Sequence, residues 1–362
     1  MRFVKGVFTG FARPAAEIEV SSERDQTAKP IMRSASSIPD VRFARKLSEW
    51  IRMFGALLRD RSPLKIRDYS WLLDEVTAYD TYAKRFLQSP ILDCPILEIG
   101  FGTRPYRLLA LHAAGCDVLG VDLDMPALRV RDLASVWQAN GWERALKSAV
   151  RLFIFDIAEN RQLRRLFTSA NAKTVLWPRE RLIVANAADP LFWSNHPGPY
   201  DFIFSEDVLE HIPRAELDRV LAEISAHLTD EGIALMRPMI WTGIQGGHHV
   251  EFYGYRPGRS VRVPPWDHLR ERTVPANTYL NELTRREYVA MFKQYFDILE
   301  DRECDPELGR DLLTPELRSE LRRFDEYELL SNRVSFVLRR KRTHVAGSIT
   351  NQDRSPNAFE VS

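Results

Sequence analysis

The chain has 362 residues, 44% of them apolar and 28% charged, and its 51 basic side chains are balanced by 50 acidic ones. That balance leaves no global field to draw in nucleic acid or an anionic membrane, and the length fits one large domain with additions. Three scattered cysteines (Cys94, Cys116 and Cys304) without C-x-x-C spacing argue against a disulfide framework or a zinc site, and no window reaches the ~18 apolar residues of a membrane span. With no signal peptide visible, the cytoplasm is the expected location.

Residues 1–40 are rich in Ser, Arg, Pro and Ala without a period and read as disordered, as do residues 343–362. Between 41 and 90 two apolar sets recur at helical spacing: Phe43, Leu47, Trp50, Ile51, Phe54, Leu57 and Leu58, then Leu72, Val76, Tyr79 and Phe86. They predict a helical N-terminal extension. From residue 91 to 342 strands and helices alternate, which predicts a doubly wound α/β domain. Strands are expected at Ile96–Ile99, Val118–Val121, Leu182–Asn186, Tyr200–Phe204 and Ile233–Met236. Tyr295–Leu299 and Val334–Leu338 complete the set as a terminal antiparallel pair. Leu146, Val150, Phe153, Ile154 and Ile157 favour an inserted helix over 145–168 rather than a strand there. Thr103 suits the N-cap of the helix after the first strand, and Asp230-Glu231-Gly232 suits the end of the helix before the fifth.

The first strand runs into Glu98-Ile99-Gly100-Phe101-Gly102-Thr103, where glycines let backbone approach a ligand closely. Asp122 ends the second strand about twenty residues later, so the pair outlines a unit that binds a ribose-bearing cofactor. A dinucleotide fingerprint needs a third glycine; here the turn reads Thr103-Arg104-Pro105, and proline removes an amide that would cradle pyrophosphate. The loop alone leaves the cofactor open.

Together with Gly120-Val121-Asp122, the segment Ser205-Glu206-Asp207-Val208-Leu209-Glu210-His211-Ile212-Pro213 narrows the choice. In order and spacing these motifs closely resemble the class I S-adenosylmethionine-dependent methyltransferases, over about residues 91–340. The resemblance implies a Rossmann-like, mostly parallel seven-stranded sheet with a terminal antiparallel strand, and S-adenosylmethionine as cofactor. It departs from the pattern at Arg104, in place of the third glycine, and at Asn186, in place of the usual acid. It further implies that Glu98 lies by the methionine ammonium and that Gly100 and Gly102 pass under the ribose. Asp122 would accept from both ribose hydroxyls, Asn186 and Ala187 would meet the adenine, and Ser205 would line the cofactor.

His211 and Glu210 are the expected catalytic pair, since a hydroxyl acceptor needs a base. Asp207-Val208-Leu209-Glu210-His211 is also similar to the E-x-x-E-H segment of small-RNA 2′-O-methyltransferases and some ubiquinone-pathway enzymes. Those bind a divalent metal with a further histidine, for which His248 and His249 stand after the fifth strand. Because the first position is Asp, no metal is expected here. Residues 238–285 form an expected acceptor-side insertion, in which Trp241, Phe252, Tyr253, Tyr255 and Trp266 beside His268 and Arg270 suit a saccharide or other polyol. The expected partner is thus a small-molecule or glycan acceptor, without nucleic acid. Two alternatives stand: a phenol or quinone-ring acceptor, and an inactive cofactor-binding subunit.

Overall fold

The computed structural model describes residues 68–170, 172–173, 178–276 and 278–342. The predicted disordered ends and the first apolar set of the helical extension lie outside the described residues. The second set falls on α1 (Trp71–Phe86), whose Leu72, Tyr79 and Ala83 are buried.

Seven strands make one sheet: β1 (Ile96–Ile99), β2 (Val118–Asp122), β3 (Leu182–Val184), β4 (Tyr200–Glu206), β5 (Leu228–Arg237), β6 (Phe296–Glu303) and β7 (Val334–Arg340). Their order is β3-β2-β1-β4-β5-β7-β6, with β7 antiparallel to both β5 and β6 and the other pairings parallel. The strand order reverses at β1, between β2 and β4, which is where an open α/β sheet leaves a crevice at its strand ends. The central strands are buried on both faces: β1 is buried throughout, and Phe202, Ile203 and Phe204 of β4 are fully buried. Each such side chain contributes about 1.5–3 kcal/mol by leaving water.

Helix α2 (Tyr106–Ala114) follows β1 and lies beside α1. The crossover from β2 to β3 is a long helical excursion: α3 (Leu133–Asn140), α4 (Trp142–Arg151), a π-helical turn at Leu152–Asp156 and α5 (Ile157–Ser169). Residues 145–168 are therefore helical, and they are the connection that every parallel pair requires. Helix α6 (Pro190–Asn195) leads to β4, and α7 (Arg214–His227), with Leu217, Val220, Leu221 and Ile224 buried, leads to β5. Helices α8 (Arg285–Tyr295), α9 (Pro315–Glu320) and α10 (Glu326–Leu329) complete the fold.

Two local expectations are corrected. Asp230-Glu231-Gly232 does not end a helix; α7 stops at His227 and these residues form a bulge in β5, where Tyr200 pairs with Leu228 but Phe202 with Ile233. Thr103 does not cap α2, whose N-cap position is Pro105 with no side-chain cap. The Thr103 hydroxyl instead accepts a hydrogen bond from Arg151 Nη1 at 2.6 Å, which offsets part of the cost of burying that guanidinium.

Candidate active site

Register brings the predicted cofactor residues to one edge. Glu98 stands opposite Gly120 on one side and Phe204 on the other, so the tips of β1, β2 and β4 present Glu98, Asp122 and Ser205 at adjacent strand ends. Asp122 pairs in register with Val184, and Ala185 N–H donates to the Asp122 carbonyl, which sets Asn186 and Ala187 beside it. Gly100 and Gly102 both have positive φ, at 83° and 65°. A Cβ at Gly100 would collide with the Val208 side chain, whereas the space beside Gly102 is open. The first glycine is required by packing against the loop after β4, and the second leaves room for a ligand.

The polar groups here are under-satisfied in a directed way. Glu98 is 3% exposed and its Oε2 has no hydrogen-bond partner among the described residues; burial pushes its carboxyl up to about 8. Ser205 is fully buried with its hydroxyl unpartnered. Asp122 accepts from Gly102 N–H at 2.7 Å through Oδ2 and from Asp124 N–H at 2.7 Å through Oδ1. Burial, then the neighbouring Asp124, raises it to about 6 against those two bonds. Asn186 is partly spent on its own loop: its Oδ1 accepts from Ala188 N–H at 2.9 Å and its Nδ2 donates to Glu216 at 3.3 Å.

Behind this edge lies a network that sequence reading missed. Glu206, the last residue of β4, meets Tyr79 Oη at 2.6 Å, Arg237 at 2.8 Å and Arg107 at 2.8 Å, and Arg107 also donates to Glu75 at 2.7 Å. It ties α1 and α2 to β4 and β5 and sets the Arg107 cation near Glu98. Arg104, at the missing-glycine position, is likewise structural: it bonds Asp156 on the π-helical turn at 2.7 Å, which also holds Arg151 at 2.9 Å. No local spacing announces either network, because all the partners but Arg151 and Asp156 lie about 30 to 130 residues apart.

A second cluster follows β4. Asp207 adopts φ 55°, and the next turn (Leu209–His211) presents Glu210 and His211. Asn281 clamps this turn: its N–H donates to the Glu210 carbonyl at 2.9 Å, and its Nδ2 to the carbonyls of Leu209 at 2.8 Å and Ile212 at 3.0 Å. His211 Nδ1 donates to the Tyr279 carbonyl at 2.9 Å, so the ring's lone pair resides on Nε2, 3.9 Å from Glu210 Oε1. His248, also at positive φ, closes the group with Nε2 3.9 Å from the same oxygen. The ligand atoms of Glu210, His211 and His248 lie within 4.8 Å of one another. Both Glu210 carboxylate oxygens and His248 Nε2 lack a hydrogen-bond partner among the described residues. Burial drives Glu210 well above the usual carboxylate range and lowers both histidines, leaving the imidazoles neutral. Asp207 stays outside the group, 3.6 Å from Arg333 Nε through Oδ1.

The 238–285 segment is only partly a wall of this cluster. Tyr253 stands 6.1 Å from the His248 ring, but Phe252, Tyr255 and Trp266 pack with Leu317, Leu321 and Leu329 in a separate core. Trp266 Nε1 donates to the Thr242 carbonyl at 3.0 Å, and His268 Nε2 meets the Trp241 carbonyl at 2.8 Å. These rings hold the segment in place, because large aromatics bury more free energy in a core than at a rim.

A family model for a methyltransferase domain matches residues 44–295, most of the chain. The chain belongs to that methyltransferase family. It is an S-adenosylmethionine-dependent methyltransferase with S-adenosylmethionine as its cofactor. No curated protein matches the sequence. Among solved structures it is similar to the PH0226 protein of Pyrococcus horikoshii OT3, at 14% identity and a TM-score of 0.38 over 76% of this chain and 94% of that one. It is also similar to an S-adenosylmethionine-dependent methyltransferase of Clostridium acetobutylicum ATCC 824, at 12% identity and 0.37 over 81% and 98%. A third is the geranyl diphosphate C-methyltransferase of Streptomyces coelicolor A3(2), at 14% identity and 0.37 over 77% and 87%.

Proposed function

We propose that the methyltransferase acts on oxygen, with a saccharide or other polyol as acceptor and His211 as the base. The observation that carries this reading is the fixed His211 tautomer, neutral and with its lone pair on Nε2, beside a buried Glu210 whose oxygens have no hydrogen-bond partner among the described residues. An acceptor bearing two hydroxyls can donate one to Glu210 and lose the proton of the other to His211. S-adenosylmethionine, when bound, would supply the methyl group to that oxygen, its sulfur keeping the bonding pair as S-adenosylhomocysteine.

The rest of the site holds the donor. Glu98 would pair with the methionine ammonium, for which a buried carboxyl whose Oε2 has no hydrogen-bond partner among the described residues is a fitting receptor. Asp122 would take the ribose hydroxyls over Gly100 and Gly102. Asn186 and Ala187 would border the adenine, through the backbone more than through an amide already engaged in its loop. Ser205 would line the sulfur side. Alignment of nucleophile and sulfonium supplies most of the rate. Release of S-adenosylhomocysteine from a panel of polyols, catechols and quinols tests the acceptor class. Turnover restricted to the aromatic acceptors would favour the phenol reading, and none with any acceptor would favour an inactive cofactor-binding subunit.

A specific observation favours a second reading of the same cluster. One carboxylate and two neutral imidazoles with converging ligand atoms suit a divalent cation, held by Glu210, His211 and His248. Such an ion would acidify a chelated hydroxyl. Metal analysis of the purified protein, with Mn²⁺ binding followed by paramagnetic resonance and repeated on His248→Ala, tests it. Activity indifferent to chelator and to that substitution removes it.

A further inference from the structure

Helix α4 is built inside out. Its Ser148 and Arg151 are buried against the protein, at 2% and 7% exposure, while Trp142, Leu146 and Val150 face outward at 63%, 57% and 43%. Residues 142, 146 and 150 drift only about 40° per step around a helix, and Phe153 (59% exposed) returns toward them on the next turn. They form one stripe roughly 16 Å long. Trp137 on α3, 64% exposed, is separated from α4 by the short turn at Gly141. Seven of the thirteen large apolar side chains exposed among the described residues fall between 123 and 153, so this is a concentration and not scatter.

Exposed cations accompany the stripe on the same helical excursion. The described acidic side chains of residues 123–169 are all ion-paired internally: Asp124 with Arg144, Asp132 with Arg179, and Asp156 and Glu159 with Arg104. Arg131, Arg161 and Arg165 are exposed. We infer that α3 and α4 dock on an anionic lipid surface, with the tryptophans and Phe153 entering the headgroup boundary and these cations meeting the lipid phosphates. Tryptophan is suited to that boundary, having an apolar body and one polar N–H. No helix of the described residues is long and apolar enough to cross a membrane, so the contact is peripheral. Leu123, 59% exposed, follows Asp122 directly and places the edge of the cofactor site close to this face.

The full-length protein is sedimented with vesicles of phosphatidylcholine alone and of phosphatidylcholine mixed with phosphatidylglycerol. Partition should rise at least about tenfold with the anionic lipid, as expected of a few cations worth ~1 kcal/mol each near such a surface. It should fall to the phosphatidylcholine level when Trp142 and Phe153 are both changed to Ser. Leu191→Ser, which removes an equally exposed apolar side chain elsewhere, should leave partition unchanged. S-adenosylmethionine affinity in solution should be the same for all three proteins, which keeps this test separate from the cofactor assignment. Absence of sedimentation with both vesicles overturns the proposal. So does a dimer that the double substitution dissociates while vesicle partition is unmoved, which would make the stripe an interface between copies of this chain.

Discussion

The proposed cofactor end of the site is assembled from the tips of three adjacent strands, whereas the proposed acceptor end gathers Glu210, His211, His248 and Asn281 from loops of widely separated sequence. The first arrangement follows from sheet register. Once β1 pairs with β2 and β4, Glu98, Asp122 and Ser205 have no freedom to be elsewhere. The second depends on side-chain bonds: Asn281 Nδ2 to the carbonyls of Leu209 and Ile212, and His211 Nδ1 to the Tyr279 carbonyl. A site half fixed by backbone and half by side chains should fail in two distinguishable ways.

The largest separation of the two ends is expected from His211→Ala, which should lower kcat by about 10²–10⁴-fold while S-adenosylmethionine affinity stays at the wild-type value. An equal loss of affinity in a calorimetric titration would merge the two ends. Asp122→Ala should do the opposite. Loss of charged hydrogen bonds to the ribose, each about 1.5–3 kcal/mol, weakens cofactor binding by about 10- to 10²-fold without altering the pH dependence of the residual turnover. Asn281→Ala should cost about 1–3 kcal/mol of stability, read as a lower denaturant midpoint, because it strands the carbonyls of Leu209 and Ile212. Its kcat should fall further than its cofactor affinity.

The smallest effect concerns protons. Burial holds the Glu98 carboxyl up to about 8, so at pH 7 it is mostly protonated in the free protein. Pairing with an ammonium ionises it, and cofactor binding should release about one proton, measured by titration in buffers of different ionisation enthalpy and absent in Glu98→Gln. The same raised value has a stability consequence. The folded state holds a proton that the unfolded chain gives up near its ordinary value of 4.5, so this contribution is fully present below that value. It is lost as pH rises toward about 8. The downward slope over that window should flatten in Glu98→Gln.

What could be read from sequence follows the same division. The strands of the sheet were legible because apolar runs bounded by glycine and acid carry their own register. Leu182–Val184 could be chosen over 150–156 because the latter also repeats at helical spacing. The Glu98–Asp122 spacing survives because the chain between them is one compact strand–helix–strand unit. Glu206 with Tyr79, Arg107 and Arg237, and Arg104 with Asp156, were not legible, since no residue's type or spacing marks a partner about 30 to 130 positions away. Thr103 looked like a cap from local chemistry, and the demand of buried Arg151 overrode it. The aromatic residues of 238–285 looked like a binding wall by composition, but Trp266 and Phe252 are core; only burial distinguishes the two.

Isothermal titration of S-adenosylmethionine into wild-type, His211→Ala and Asp122→Ala proteins tests the central claim most directly. The account predicts one-to-one binding of equal strength to the first two, and binding weakened by at least about tenfold in the third. Undiminished binding to Asp122→Ala, or lost binding to His211→Ala, would contradict the placement of the methyl donor at the ends of β1 and β2.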